Sequence, residues 1–148
     1  WMIGPDKGDG SLQRMLTLAE KLNVRHRIHI VGGLPHTEIP DWLSKGDIFI
    51  NTTNFDTAPR CVLEAMAIGL CIVSTAVGGI PYLVEHEQEG LLGPPDDAPA
   101  MAAAIKRLLI EPNLGSKLSK NARIKAENYD WSQILTKWEA LFDTMVIH

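Results

Sequence analysis

Short apolar runs rich in β-branched residues alternate along this chain with longer segments of helical period, and that alternation limits the fold more than any other feature. The runs fall at residues 1–4, 27–32, 47–51, 70–75 and, more weakly, 90–93. Their length and composition fit buried strands. Between the first two, Leu12, Met15, Leu16, Ala19 and Leu22 recur every three or four residues, which predicts an amphipathic helix capped by Ser11. A short helix should precede the third run, with Thr37 as its cap and Pro40 in its first turn, ending near Lys45 and Gly46. Residues 59–69 read as a helix with Pro59 at the start and Gly69 at the end, and residues 80–85 as a helical turn beginning at Pro81. Strands and helices in this order predict right-handed βαβ units around a parallel sheet.

Beyond Gly93 the pattern turns wholly helical. Asp96 or Asp97 should open a helix carrying Met101, Ala104, Ile105, Leu108 and Leu109, which stops before Pro112. Helical stretches at 114–128 and 131–147 follow, the last with Ile134, Leu135, Trp138, Leu141, Phe142 and Met145 on one stripe. Such a tail is expected to pack on the sheet or on a neighbouring domain. Neither a repeat nor a low-complexity linker interrupts the chain, which reads as one α/β domain over residues 1–148.

Composition narrows the function. The 148 residues are 45% apolar and 22% charged, the make-up of an ordinary soluble globular domain. A net charge of -4 argues against a nucleic-acid backbone as the main partner. No apolar run reaches the roughly 18 residues that cross a bilayer, and the first residues lack the pattern of a secretory signal. Cys61 and Cys71 have no metal or redox spacing, which suits reduced thiols in a cytoplasmic protein. The five histidines (His26, His29, His36, His86, His148) form no ligand pattern with them, and His86-Glu87 lacks the second histidine of a zinc-protease helix. No Gly-x-Ser-x-Gly elbow is present. Met66 and Met101 sit on apolar helix faces and read as core.

In open parallel sheets, ligands bind beyond the carboxyl ends of the strands, where loops meet helix N-termini. Three loops occupy such places. Residues 4–10 (Gly-Pro-Asp-Lys-Gly-Asp-Gly) could let the backbone approach a phosphate beside Lys7, and a surface turn accounts for them equally well. Residues 51–60 lead into the helix carrying Glu64. Pro59 at its first position would leave the amides of Arg60 and Cys61 to face a diphosphate or carboxylate. Asp56 and Glu64, with seven residues between them, could grip sugar hydroxyls. The alternative makes Asp56 or Thr57 a helix cap and Glu64 a solvated acid. The third loop, Val77-Gly78-Gly79-Ile80-Pro81, could form an anion-binding nest or a tight turn needing positive φ.

The run Leu63-Glu64-Ala65-Met66-Ala67-Ile68-Gly69, followed by an apolar strand and Gly78-Gly79-Ile80-Pro81, resembles the signature of the family-4 (group 1) retaining glycosyltransferases. Glu89-Gly90-Leu91-Leu92 with Pro94 and Asp96 looks like the next element of that family, and the upstream strands and Gly-rich loop fall in the expected order. The resemblance covers almost the whole chain. It implies a Rossmann-like parallel sheet flanked by helices with a helical C-terminal tail, the C-terminal nucleotide-sugar-binding half of a two-domain, GT-B type enzyme. On that likeness the facing N-terminal acceptor domain is absent, as are a first strand and helix bearing an Arg and a Lys, so that Trp1 looks like a cut edge. The chain alone is then expected to be inactive.

The same resemblance assigns roles residue by residue. Glu64 would hold the ribose hydroxyls of a nucleoside-diphosphate sugar, and Asp56 would face the transferred sugar. Thr57, Ala58, Pro59 and the amides of Arg60 and Cys61 would meet the diphosphate and sugar. Gly33 and Leu34 match the base-contacting turn, and Gly78 and Gly79 shape the same cleft. Lys7 and Arg60 are the basic residues nominated near the diphosphate. No metal and no cofactor beyond the donor is implied, and peripheral membrane association of the whole enzyme is compatible with the family. Two departures, Asp56 for the usual Glu and Thr-Ala-Pro for Gly-Phe-Gly, bear on the donor sugar. A nucleotide-sugar 2-epimerase half and a non-catalytic α/β interaction module are the alternative readings.

Overall fold

The computed structural model describes residues 1–145, which fall into two compact units divided between Asp41 and Trp42. In the first, β1 (Met2–Ile3) and β2 (Ile30–Gly32) run parallel, with Met2 opposite Ile30 and Ile3 opposite Gly32. They are joined by α1 (Ser11–Lys21), which buries Ala19 and half-buries Leu12, Met15 and Leu16, while Leu22 stays exposed. The second strand is shorter than the expected 27–32. Residues Arg25–Arg27 form a 3-10 turn in which Arg25 Nη1 donates to Ile28 O at 2.9 Å, while His29 O still accepts the Met2 amide at 2.8 Å.

Ser11 is not the cap of α1. Gly10 takes that position with φ 75, and the Ser11 amide donates to Asp9 Oδ1 at 2.9 Å. The Asp9 carboxylate thus meets the first orphan amide of the helix, that of Ser11 itself, which a cap formed by the Ser11 hydroxyl could not have served. Its hydrogen bonds from Ser11 hold it below the usual carboxylate range. A 3-10 turn at His36–Glu38 then leads into α2 (Ile39–Leu43), which has Pro40 in its first turn as the sequence predicts.

The second unit is built on β3 (Ile48–Asn51), β4 (Cys71–Thr75) and β5 (Gly90–Gly93), paired in that order and all parallel. All five expected strands are therefore present, in two parallel ladders instead of one continuous one. Strand β4 lies at the centre, and Ile72, Val73 and Ser74 have no exposed surface. A strand flanked on both sides and covered on both faces is expected to be apolar throughout, as this one nearly is. The covering helices are α3 (Arg60–Ile68), α5 (Ala98–Ile110) and α6 (Leu114–Glu127), with α4 (Ile80–Leu83) as a single turn after β4. Val62, Ala65, Met66, Leu118 and Ala122 are fully buried, and Met101 is nearly so, which confirms both methionines as core.

Helix α5 begins at Asp97 and not Asp96: the Asp97 carboxylate accepts the Ala100 amide at 2.8 Å. Helix α7 (Trp131–Met145) buries none of its residues. Trp131, Leu135, Trp138 and Phe142 are exposed, and the last two stack with ring centroids 5.6 Å apart. The expected stripe exists but does not pack on the sheet, and its predicted continuation to residue 147 lies outside the described residues. Removing the α5 cap with Asp97→Ala should lower stability by about 1 kcal/mol, while Asp97→Asn should recover most of it, as read from chemical denaturation midpoints.

Candidate functional site

The carboxyl ends of β3 and β4 set the geometry of the main candidate site. After Asn51 the β3–β4 ladder stops, and the chain crosses to α3 through residues 52–59. Pro59 is buried and occupies the N-cap of α3, one position earlier than expected, with φ -68 and ψ 108. The first amide of α3 with a helical acceptor is that of Val62, which donates to Pro59 O at 3.0 Å. The Arg60 and Cys61 amides lie ahead of it, at the positive end of the helix dipole. Gly69, with φ 88, closes the other end.

Asp56 is half-buried in this crossing. Its Oδ1 accepts the Ala58 amide at 3.2 Å, a local turn ahead of the helix and not the cap that the alternative reading expects of Asp56 or Thr57, since Pro59 takes the α3 N-cap with no side-chain cap bond. Its second carboxylate oxygen has no partner among the described residues. Arg60 is exposed and makes no ion pair among the described residues. Desolvation pushes the Cys61 thiol up from its ordinary range, and the charges of Asp56 and Glu64 push it the same way. Both carboxylates therefore act on the first turn of α3, where the expected ligand phosphates would also sit.

The Gly78-Gly79 turn meets the same crossing. The Gly79 amide donates to Asp56 O at 3.0 Å. A Cβ built at Gly78 would lie 1.8 Å from Asp56 O, and one at Gly79 would lie 1.5 Å from Thr57 O. Gly78 also has φ +53, so the tight-turn reading of this segment holds, with backbone-on-backbone contact at both glycines, while the Gly79 amide that an anion-binding nest would offer is given to Asp56 O. The two sequence motifs at residues 56–57 and 78–79 are thus one structural element.

Glu64 is half-buried on the second turn of α3 and faces a groove of about 460 Å³ that it shares with Leu63, Ala67, Arg123, Glu127 and Tyr129. Arg123 bridges the helices, donating from Nη1 to Ala67 O and lying 3.7 Å from Glu127. The α6 residues beside Glu64 were not nominated from sequence, because their place depends on helix packing. Thr53, Asn54, Thr75 and Asp96 were missed as supports of the 52–59 crossing. Thr75 Oγ1 donates to Thr53 O at 2.5 Å, and Asn54 Nδ2 donates to Asp96 Oδ1 at 2.7 Å. A polar residue at the end of an otherwise apolar strand was the available signal.

The nominated residues of the first unit form their own arrangement. Gly33 approaches Pro5, so the turn after β2 lies beside the loop after β1, with Leu34 half-buried and Lys7 exposed. In residues 4–10 the Gly8 amide donates to Asp6 Oδ1 at 3.0 Å and the Ser11 amide to Asp9 Oδ1. Two amides that a phosphate loop would present are therefore taken by the chain's own carboxylates. Among the described residues, no group of three or more His, Cys, Asp or Glu side chains is placed to hold a metal, and no helix is long and apolar enough to cross a membrane.

Parallel strands with glycine turns and a helix N-terminus at their carboxyl ends define a class of nucleotide-binding-like α/β domain. Residues 2–125 match the model of the glycosyl transferases group 1, and the chain belongs to that family. It is 32% identical over 133 residues to sulfoquinovosyl transferase SQD2 of Arabidopsis thaliana, covering 88% of this chain and 26% of that protein. The alpha-D-kanosaminyltransferase of Streptomyces kanamyceticus is 32% identical over 119 residues, covering 78% of this chain and 30% of its own length. The chain thus spans less than a third of these relatives. Among solved structures, sucrose-phosphate synthase from Thermosynechococcus elongatus superposes with a TM-score of 0.84 at 28% identity, over 97% of this chain and 37% of that one. Anabaena HepE in complex with UDP superposes with a TM-score of 0.87 at 21% identity, over 96% and 40%. The fold is that of one half of a GT-B type glycosyltransferase.

Gly79→Ala should either destabilise the chain by about 2–4 kcal/mol or displace residues 56–58, because a Cβ cannot share space with Thr57 O. Thermal melting, with the amide resonances of Thr57 and Ala58 as local reporters, checks this. A wild-type melting temperature with unshifted resonances would contradict the close approach.

Proposed function

We propose that the chain binds a nucleoside-diphosphate sugar and serves as the C-terminal, donor-binding half of a cytoplasmic enzyme that transfers the sugar to an acceptor with retention of configuration. The observation that carries this reading is the seating of the Gly78-Gly79 turn on residues 56–57, directly ahead of the α3 N-terminus. That contact brings Asp56 and the leading amides of α3 to the ends of two parallel strands, with Arg60 as the first residue of the helix. HepE has been crystallised with UDP and with UDP-glucose, which supports the ligand class by analogy of fold.

In the proposed reaction, the bond between sugar and diphosphate breaks and negative charge gathers on the departing diphosphate. The Arg60 guanidinium and the amides of Arg60 and Cys61 would stabilise that charge, in a place where they are already oriented. Thr57, Ala58 and Pro59 would line the diphosphate and sugar, and Asp56 would accept a hydrogen bond from a hydroxyl of the transferred sugar. Glu64 would hold the ribose hydroxyls. Transfer also needs an acceptor site, so the chain alone should bind donor without catalysing transfer.

Calorimetric titration of the folded chain with UDP, GDP and ADP tests the reading. Binding of at least one is expected, and Glu64→Ala should weaken it by about 1–3 kcal/mol through loss of charged hydrogen bonds. Absence of heat with all three would refute donor binding. Unchanged affinity in Glu64→Ala would remove that residue from the site.

A further inference from the structure

Thr75 and Ser74 are the buried polar side chains among the described residues, at 2% and 0% exposure. Both end the central strand β4, and each hydroxyl must be satisfied inside the protein. Ser74 Oγ accepts from Asn51 Nδ2 at 3.2 Å, across the last register pair of the β3–β4 ladder. Thr75 reaches one step further. Its Oγ1 donates to Thr53 O at 2.5 Å, after the backbone ladder has run out. A valine would fill the same volume without a polar atom, so the hydroxyl's work at this position is its bond to the crossing segment.

That bond begins a continuous path to Asp56. Thr53 Oγ1 donates to Phe55 O at 2.9 Å, and the Asp56 carbonyl is held by the Gly79 amide at 3.0 Å. Asn54 is tied separately to Asp96, in the loop after β5. The segment is thus fixed from β4, from the turn after β4 and from the loop after β5, while its own exposed Phe55 contributes little burial.

We infer that Thr75 is a positioning residue: through Thr53 it holds residues 53–58 so that the Asp56 carboxylate stands at the donor-sugar end of the site. The consequence for sugar recognition rests on the donor-binding reading, whereas the mechanical part does not. Thr75 itself touches no ligand in this arrangement. Its effect should fall on the sugar end of the donor and spare contacts made by Glu64, which stands on α3.

Amide hydrogen exchange, combined with titration of UDP and UDP-glucose, tests the inference on wild type, Thr75→Val and Thr75→Ser. In Thr75→Val the Ala58 and Gly79 amides should exchange about tenfold faster while the Val73 amide keeps its protection. Thr75→Ser, which keeps the hydroxyl, should behave as wild type. Any preference of the wild type for UDP-glucose over UDP should shrink several-fold in Thr75→Val, with UDP affinity retained. Unchanged exchange at Ala58 and Gly79, or equal acceleration at Val73, would overturn the positioning role. Failure of the wild type to bind any nucleotide would sink the donor-site reading, and the exchange data would still decide whether Thr75 holds the segment.

Discussion

The contact between the Gly78-Gly79 turn and the backbone of Asp56 and Thr57 is the constraint on which the candidate site depends. Two loops that leave neighbouring strands approach so closely that no side chain fits between them. Such an approach is available only to glycine, and it lets a main-chain hydrogen bond replace side-chain packing. It also determines where Asp56 stands, since the carbonyl of that residue is the acceptor. The loop following β3 cannot move without moving the turn following β4.

This arrangement has an electrostatic counterpart. The first turn of α3 offers amides and the positive end of a dipole, yet Asp56 and Glu64 both act on it, each pushing the Cys61 thiol further up. An anionic ligand placed there would meet attraction from the amides and Arg60 and repulsion from two carboxylates. On the donor-binding proposal, the ligand would present hydroxyls to the acids and phosphate to the amides. Oriented groups of opposite character, held on separate elements, are what allow discrimination between related ligands.

Much of the fold was legible because each element satisfies its own local chemistry. The β-branched runs around residues 48–51 and 71–75 became strands, and of the stripe expected on α5 Met101 is buried, Ala104, Ile105 and Leu108 are half-buried and Leu109 is exposed. Errors collected at boundaries, where several groups compete for the same amide. Ser11 looked like a cap, but Gly10 takes the N-cap and the Asp9 carboxylate accepts from the amide of Ser11 itself. Arg27 looked extended but closes a 3-10 turn, and the extended residues after it join the ladder only from Ile30. The stripe on α7 was expected to pack on the sheet or on a neighbouring domain, and it is not buried on the sheet, because periodicity says which face is apolar and not what covers it.

For the candidate site the division is similar. Glycines, Pro59, Asp56 and Glu64 could be nominated from spacing and from the family signature, since those residue types recur where backbones crowd and helices begin. Membership in the group 1 glycosyl transferases was likewise written in the order of motifs. Only the tertiary structure decided that residues 56–57 and 78–79 are a single element, that Thr75 rather than a backbone ladder holds Thr53, and that Glu64 shares a groove with α6. The physical reason is range. Strand propensity, helix period and turn chemistry act between near neighbours in sequence. A hydrogen bond across 22 residues or a groove between α3 and α6 depends on how distant segments are stacked.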